Sequence, residues 1–449
     1  MSFLGSKNKK LTCSHIILLI GIALRIIAVL LADPRVYNHD VSKVGGYGHL
    51  DYAIYIFKNF SLAPYNTYEF AQPPLNAILQ ALVMRVVSLF GNFGTKYMKL
   101  FEYTIILSLI YSVITLYFVY KILNELGFKS KIKNFVLLVF AVYPGYLTMA
   151  SQFSNDGIAN MFFYISLYLS IKWCKQRDLK TIVLLALSIG FGMLSKISVG
   201  LIAFITGPMM VVIFIKTFID YINKRKTAAE FRNLTIQIII FILIVFPLGL
   251  SYAIRNYVLF NQKFVEIFEV AKNGPLDMRN YNFSLYERFL SFPLDRLFGD
   301  ETGYADKSMI YYMAYKRFGA NTRIYHQVIE YNIWIDLIKT ATFDEYNFGY
   351  GHLYVVCLIV YVLNIIFFFL GFISIIINII RLFRTSAKSM SNNIFNARII
   401  AILLFIIAMA SYIGFNYKYQ YSCNSNFRYI PYLLFSYAVS IPLAVIKTE

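Results

Sequence analysis

The sequence has little charge and few cysteines for its length. Only 14% of its 449 residues are charged, 59% are hydrophobic, and two are tryptophan. Soluble globular proteins carry about a quarter of their residues as charged side chains. The composition therefore excludes that class and indicates an integral membrane protein. The four cysteines form no CxxC pair or metal-ligand spacing, so no disulfide framework is expected. They are Cys13, Cys174, Cys357 and Cys423.

Acidic residues are scarce beside basic ones, 23 against 42, and the formal net charge is +19. A charge of this size can indicate nucleic-acid binding. Here the basic residues fall mostly in short segments between apolar runs, which is the distribution that positive-inside topology produces. No nucleic-acid partner is therefore expected.

Ten apolar runs are long enough to cross a bilayer. They begin near residues 14, 101, 134, 158, 180, 199, 233, 352, 398 and 429. Lys7, Lys9 and Lys10 before the first run place the N-terminus in the cytoplasm, and an even number of spans then places the C-terminus there too. The segments that lie inside on this count are rich in lysine and arginine. The fold class predicted is an all-α polytopic membrane protein. The run 353–382 fits one tilted helix or, with a break at Gly371, two short ones; charge sidedness favours one.

The predicted topology divides the chain into three regions. Residues 1–251 form an N-terminal transmembrane module whose first outer loop is 33–100, residues 252–351 form an extracytoplasmic segment expected to fold as a small helical cap, and residues 352–449 form the C-terminal helices. Within the first loop, Pro73 to Phe90 is predicted to be an amphipathic helix on the outer surface.

Polar and ionisable residues next to the spans collect on the outer side. Such residues are costly near lipid, so a set on one face is a functional-site hypothesis. A carboxylate there can act as a general base, and cations can hold a phosphate. The candidates are Asp40, His49, Asp51, Tyr52, Gln72, Asn155, Asp156, Lys196, Arg428 and Tyr429.

Each candidate also has a structural interpretation. Asp40 fits a solvated loop acid or a helix cap, and Asp156 precedes a helical run and so fits an N-terminal cap. Lys196 and Arg428 fit side chains that extend to lipid headgroups. His49 fits a histidine packed against neighbouring tyrosines. Residue types alone leave these alternatives open.

The order of short motifs along the chain adds a resemblance. The motifs are His39-Asp40-Val41, Gly48-His-Leu-Asp-Tyr52, Ala71-Gln-Pro-Pro-Leu75, Ser154-Asn-Asp-Gly157, Gly192-Met-Leu-Ser-Lys196, Arg255-Asn-Tyr257, Lys339-Thr-Ala-Thr-Phe-Asp-Glu345 and Phe427-Arg-Tyr-Ile-Pro431. In this order they resemble the GT-C superfamily of integral membrane glycosyltransferases. The resemblance is to bacterial relatives of protein O-mannosyltransferases and of the lipid A aminoarabinose transferase.

The resemblance implies a GT-C fold of about ten transmembrane helices with outer juxtamembrane helices. It also implies inverting transfer of a sugar from a polyprenyl phosphate to a hydroxyl of a glycan, lipid or protein at the outer face of the plasma membrane. Asp40 would be the catalytic base, and Lys196, Arg428 and Tyr429 would bind the lipid phosphate. The substrate-binding residues would be His49, Asp51, Tyr52, Gln72, Asn155 and Asp156. Gln72 stands where aminoarabinose-transferase-like members have a phosphate-binding lysine, which makes the lipid A reaction less expected.

No cofactor is required by this scheme. The oxygen and imidazole groups of His39, Asp40, His49, Asp51 and Asp156 would permit a divalent metal ion, but their spacing is not a known metal motif. The chain has no Walker loop, GxSxG elbow or HExxH sequence. The rival functions are a lipid-linked saccharide transporter or flippase, a non-catalytic cell-envelope assembly protein, and a polymerase or ligase that uses a lipid diphosphate. A transporter is expected to show internal repeats and charged residues near the centres of its spans. The sequence shows no repeat, and Arg25 is the one clear charge inside a span.

Overall fold

The computed structural model of the chain is helical, and the parts that it describes contain no β-strand. An isolated antiparallel bridge joins Asp277 and Tyr421. The predicted all-α class is therefore confirmed. The described residues are 12–32, 41, 48–65, 67–263, 277–281, 283–294, 297, 331–344, 354–384 and 392–446.

The described part of the chain contains fifteen α-helices. In the N-terminal half they are α1 (Cys13–Leu31), α2 (His49–Asn59), α3 (Leu75–Ser88), α4 (Tyr97–Glu102), α5 (Ile105–Glu125), α6 (Ser130–Val142), α7 (Pro144–Met149), α8 (Asp156–Gln176) and α9 (Leu179–Ser195). They continue as α10 (Ala203–Ile222), α11 (Ala228–Phe260), α12 (Ile333–Phe343), α13 (Tyr354–Arg384), α14 (Asn392–Lys418) and α15 (Leu433–Val445). Short 3-10 turns include Tyr68–Ala71 and Phe427–Tyr429.

A helix lies at each of the ten positions at which a span is predicted. In the described ranges, six helical stretches are long and apolar enough to cross a membrane by length and composition. These are α1, α5 with α4, α10 with the turn before it, α11, α13 and α14. The other four are α6, α8, α9 and α15, which are shorter or less apolar. The protein is thus a multi-pass membrane protein.

Helix α13 runs without a break through Gly371, so the run 353–382 holds one helix and not two. Gly371 is the point at which α13 approaches α15. A Cβ atom there would lie 2.4 Å from Cγ of Tyr437, whose side chain is only 4% exposed. The glycine therefore allows close helix packing, the role that small residues have between membrane helices.

We expect Gly371→Ala to destabilise the protein by about 1 to 3 kcal/mol, because the new methyl group overpacks a buried contact close to the Tyr437 backbone. The melting temperature of the detergent-solubilised protein would measure it. Gly414→Ala is the matched control: Gly414 lies within α14 with nothing within 4 Å of an added Cβ. Its replacement is expected to be neutral or to stabilise by up to about 1 kcal/mol. Equal melting temperatures for the two variants would contradict this packing.

Arg25 is the charged residue inside the first span, and it is fully buried. Its guanidinium donates to the Ser112 hydroxyl at 2.8 Å, the Phe140 carbonyl at 3.0 Å and the Ala141 carbonyl at 3.3 Å. Helix α6 ends just after these carbonyls, before Pro144, so they lack the amide donors that a continuing helix would supply. Arg25 thus donates hydrogen bonds to the free carbonyl groups at the end of α6. This structural role accounts for the one charged residue that favoured the transporter alternative.

Helix α3 lies against the loop before α8 through its polar face. Asn76 and Gln80 are buried and donate to the Phe153 carbonyl at 3.2 and 2.9 Å. Leu82 and Val86 are instead about half exposed, at 52% and 55%. These two polar residues thus anchor the helix to the loop that precedes Asp156.

Helices α8 and α9 form a hairpin with a two-residue turn. Arg177 ends α8 with a φ of 51°. Asp178 caps α9, because its carboxylate accepts from the Thr181 hydroxyl at 2.6 Å and the Thr181 amide at 2.9 Å. These hydrogen bonds lower the pKa of Asp178. The hairpin brings the start of α8 and the end of α9 to the same end of the helix bundle.

Candidate functional site

The α8–α9 hairpin brings Asp156 and Lys196 into contact. Lys196 Nζ donates to Asp156 Oδ1 in an ion pair whose side chains are 18% and 6% exposed. The same Nζ lies 4.6 Å from the centre of the Tyr429 ring. Lys196 is therefore held inside the protein and does not extend to headgroups. Asp156 does not cap α8, since the N-cap residue is Asn155.

Arg428 and Tyr429 belong to the 3-10 turn that precedes α15. The Arg428 guanidinium carbon lies 5.3 Å from the Tyr429 ring centre, and the Arg428 amide donates to the Asn426 side-chain oxygen at 2.9 Å. Both cations thus lie beside one aromatic ring. Asp156, Lys196, Arg428 and Tyr429 line the same cavity together with Asn160 and Ser198.

Gln72 and Asn155 join this cluster from two other segments. Asn155 Nδ2 donates to Gln72 Oε1 and lies 3.3 Å from the Ser195 carbonyl, next to Lys196. Gln72 follows the turn Tyr68–Ala71 and precedes Pro73 and Pro74, after which α3 begins at Leu75. The segment between α2 and α3 therefore contacts the residues that flank the ion pair.

His49 reaches the cluster through a residue that sequence reasoning missed. Its Nδ1 lies 3.3 Å from Oε2 of Glu69, and Gln72 Nε2 donates to Glu69 Oε1 at 3.2 Å. Glu69 is only 5% exposed. The available signal was an isolated acid in an aromatic segment three residues before the Gln-Pro-Pro turn. Buried carboxylates of this kind need partners, so such an acid indicates a polar contact.

Asp51 and Tyr52 have structural contacts instead. The Asp51 carboxylate accepts from the Gly48 amide at 2.8 Å at the start of α2, as in a capping box. The Tyr52 hydroxyl lies 3.0 Å from that of Tyr252, and its ring packs on Phe70 at 4.6 Å. Their substrate contacts stay predictions.

Asp40 and His39 lie outside the described residues, so the role of Asp40 as base stays a prediction from the sequence. In the described ranges, no group of three or more His, Cys, Asp or Glu side chains could hold a metal ion. The metal alternative included His39 and Asp40, and it too stays untested.

A family model described as dolichyl-phosphate-mannose-protein mannosyltransferase matches residues 71–248. This match confirms the resemblance to the GT-C glycosyltransferases. It spans less than half of the 449 residues. The matched segment contains Gln72, Asn155, Asp156 and Lys196, whereas Arg428 lies beyond it.

Solved structures give a more distant likeness. The crystal structure of ArnT from Cupriavidus metallidurans in the apo state is 12% identical with a TM-score of 0.36, and the alignment covers 96% of this chain and 76% of that one. The structure of the same protein bound to undecaprenyl phosphate is 12% identical with a TM-score of 0.38 and the same coverage. None of the curated protein sequences matches the chain.

Proposed function

We propose that this protein is an inverting glycosyltransferase. It would move a sugar from a polyprenyl phosphate to a hydroxyl of a cell-surface glycan, lipid or protein at the outer face of the plasma membrane. One observation carries the proposal: Asp156, Lys196 and Arg428 come from distant segments and line one cavity beside Tyr429. The family match to mannosyltransferases supports it.

The two cations suit a lipid phosphate that serves as the leaving group. Negative charge builds on the phosphate as the bond from the sugar breaks, and fixed cations stabilise that charge most in the transition state. Lys196 and Arg428 are the groups that would hold it, and charge-assisted hydrogen bonds to phosphate oxygens are short and strong.

The cavity that these side chains line is small. Its volume is about 20 Å³, which is room for a single water molecule. A phosphate group would therefore enter only when Lys196 turns away from Asp156. The Asp156 carboxylate, released from its cation, would then accept a hydrogen bond from a sugar or acceptor hydroxyl. This exchange gives Asp156 a substrate-binding role and Lys196 a phosphate-binding role in one movement.

The transfer would be a single displacement. The acceptor hydroxyl oxygen attacks the anomeric carbon from the face opposite the phosphate, and the bond between that carbon and the phosphate oxygen breaks. The polyprenyl phosphate leaves with the electron pair, and Asp40 takes the proton of the hydroxyl. His49, Gln72 and Asn155 would orient sugar or acceptor hydroxyls.

The direct test is transfer by the purified protein in lipid vesicles, with a panel of radiolabelled polyprenyl-phosphate sugars. We expect one or a few labels to leave the lipid. Arg428→Gln is expected to raise the KM for the donor about tenfold or more, because a charge-assisted phosphate contact is lost.

Lys121→Gln is the matched control for the loss of a cation. Lys121 also lies over a tyrosine ring, that of Tyr168 at 5.6 Å, but in a different part of the bundle. Its kinetics should equal those of the wild type. The proposed function fails if no label is released by the wild type, and the phosphate assignment fails if Arg428→Gln behaves like Lys121→Gln.

A further inference from the structure

Helix α12 lies between the two segments that supply the candidate site. The helix is buried along almost its whole length. Its Thr340 hydroxyl accepts from the Phe427 amide at 2.9 Å, in the turn that carries Arg428. On another side it approaches α7 so closely that a Cβ atom at Gly145 would lie 2.8 Å from the Ala341 carbonyl oxygen. Helix α7 leads directly into the loop before Asp156.

Asp344 follows the last residue of α12 and contacts both segments. Its Oδ1 accepts from Asn426 Nδ2 at 2.6 Å, and its Oδ2 accepts from Gln152 Nε2. The side chain is buried, at 6% exposure. A carboxylate suits this place because it has only acceptor oxygens and both neighbours present amide donors.

The backbone of Asp344 is in an unfavourable conformation. Its φ is 58° and its ψ is −142°, a region that non-glycine residues rarely adopt. Such a conformation persists only where surrounding contacts hold it, and it is found most often at functional sites. The two hydrogen bonds of the carboxylate are contacts of that kind.

Each partner of Asp344 leads to a site residue within a few positions. Gln152 lies in the loop that ends at Asp156, and its carbonyl accepts from the Ser108 hydroxyl. Asn426 uses its other side-chain atom, Oδ1, to accept from the Arg428 amide at 2.9 Å. One carboxylate therefore connects the loop of Asp156 with the turn of Arg428.

We propose that Asp344 is a positioning residue that sets the separation between the Asp156–Lys196 pair and Arg428, and so sets the affinity of the cavity for the donor phosphate. The inference rests on the proposed function. It also links the phosphate site to the outer segment 252–351, because α12 and Asp344 belong to that segment. A conformational change there would reach both sides of the cavity through a single side chain.

The test reverses the direction of one hydrogen bond. In Asp344→Asn, the side chain keeps one acceptor oxygen where the carboxylate had two, and the negative charge that strengthens the bonds from Asn426 and Gln152 is lost. In the double variant Asp344→Asn with Asn426→Asp, the amide at 344 donates to the carboxylate at 426. The other oxygen at 426 still accepts from the Arg428 amide. Residue 344 thereby regains its hydrogen bonds with both Gln152 and residue 426, and the negative charge now lies at residue 426.

The measurement is binding of radiolabelled undecaprenyl phosphate to the full-length protein in nanodiscs, together with the KM and kcat for the donor. We expect Asp344→Asn to weaken binding about tenfold, since a buried hydrogen bond to a charged group is lost. The double variant should recover to within about threefold of the wild type, since the bond is re-formed without the original charge pattern. KM should follow binding, while kcat changes less.

Asn332→Ala is the control for a merely structural effect. Asn332 caps the start of α12 by accepting from the Trp334 and Ile335 amides at 3.1 Å, at the opposite end of the helix from Asp344. Its loss should lower the melting temperature without changing phosphate affinity. The inference is overturned if Asp344→Asn binds like Asn332→Ala, or if the double variant does not recover.

A second variant keeps the test decisive where Asp344→Asn does not fold. Gln152→Leu removes one link and leaves the bond between Asp344 and Asn426, and it should also weaken phosphate binding. Unchanged phosphate binding in Gln152→Leu would contradict the positioning role of Asp344. A wild-type protein that binds no undecaprenyl phosphate would instead overturn the proposed function itself, so the two failures are distinguishable.

Discussion

Lys196→Gln is expected to lower kcat by about 10²- to 10³-fold, the effect of removing one preorganised group that stabilises developing negative charge. The KM for the lipid donor should rise as well, because Lys196 would contact the phosphate in the ground state. The measurement is steady-state sugar transfer in vesicles, with Lys121→Gln as the control for a lysine over a tyrosine ring elsewhere.

The same substitution has a structural effect that must be separated from the catalytic one. Asp156 would remain buried without its cation, and breaking a buried ion pair costs up to about 3 to 5 kcal/mol. The double variant Lys196→Gln with Asp156→Asn removes the uncompensated charge. We expect it to recover thermal stability but not transfer. Recovery of transfer in the double variant would show that Lys196 serves only to neutralise Asp156.

Asp40→Asn is expected to abolish measurable transfer, because general-base catalysis contributes about 10²- to 10⁴-fold. Binding of undecaprenyl phosphate should be largely unchanged, since the cations that would hold it are untouched. The prediction rests on the motif His39-Asp40-Val41, which is one of the motifs whose order resembles GT-C enzymes.

The matched control for this acid-to-amide change is Asp178→Asn at the opposite end of the α8–α9 hairpin. Asparagine caps helices as well as aspartate does, so this variant should keep both stability and transfer. Full transfer by Asp40→Asn would remove Asp40 as the base. Loss of phosphate binding together with transfer would instead assign Asp40 to donor binding.

Hydropathy and charge sidedness predicted the helix positions well. Long apolar runs leave the backbone no alternative to a helix in lipid, so each predicted span has a helix, including the single helix through Gly371. The same reasoning explains why Asp156, Lys196 and Arg428 were expected at one end of the bundle: each lies at a span end that the topology places on one side.

Contacts between distant segments could not be predicted in this way. Glu69 and Asp344 contact partners elsewhere in the chain. Local sequence can mark an isolated acid such as Glu69, but it does not identify the partner. The orientation of α3 depends on the Phe153 carbonyl that its amides meet, which hydropathy does not record. The contact between the Tyr52 and Tyr252 hydroxyls is another pair of this kind.

The ion pair between Lys196 and Asp156 also affects which anions can compete for binding to Lys196. A carboxylate tethered in the same protein acts as a resident counterion at very high effective concentration. Under the proposed function, dissolved inorganic phosphate at millimolar levels would be a weak competitor against this carboxylate, whereas a phosphate carried on a membrane-embedded isoprenoid would be confined near the cavity. Selectivity for a lipid-borne headgroup over a soluble one would then come from two-dimensional confinement, without any side chain that reads the lipid.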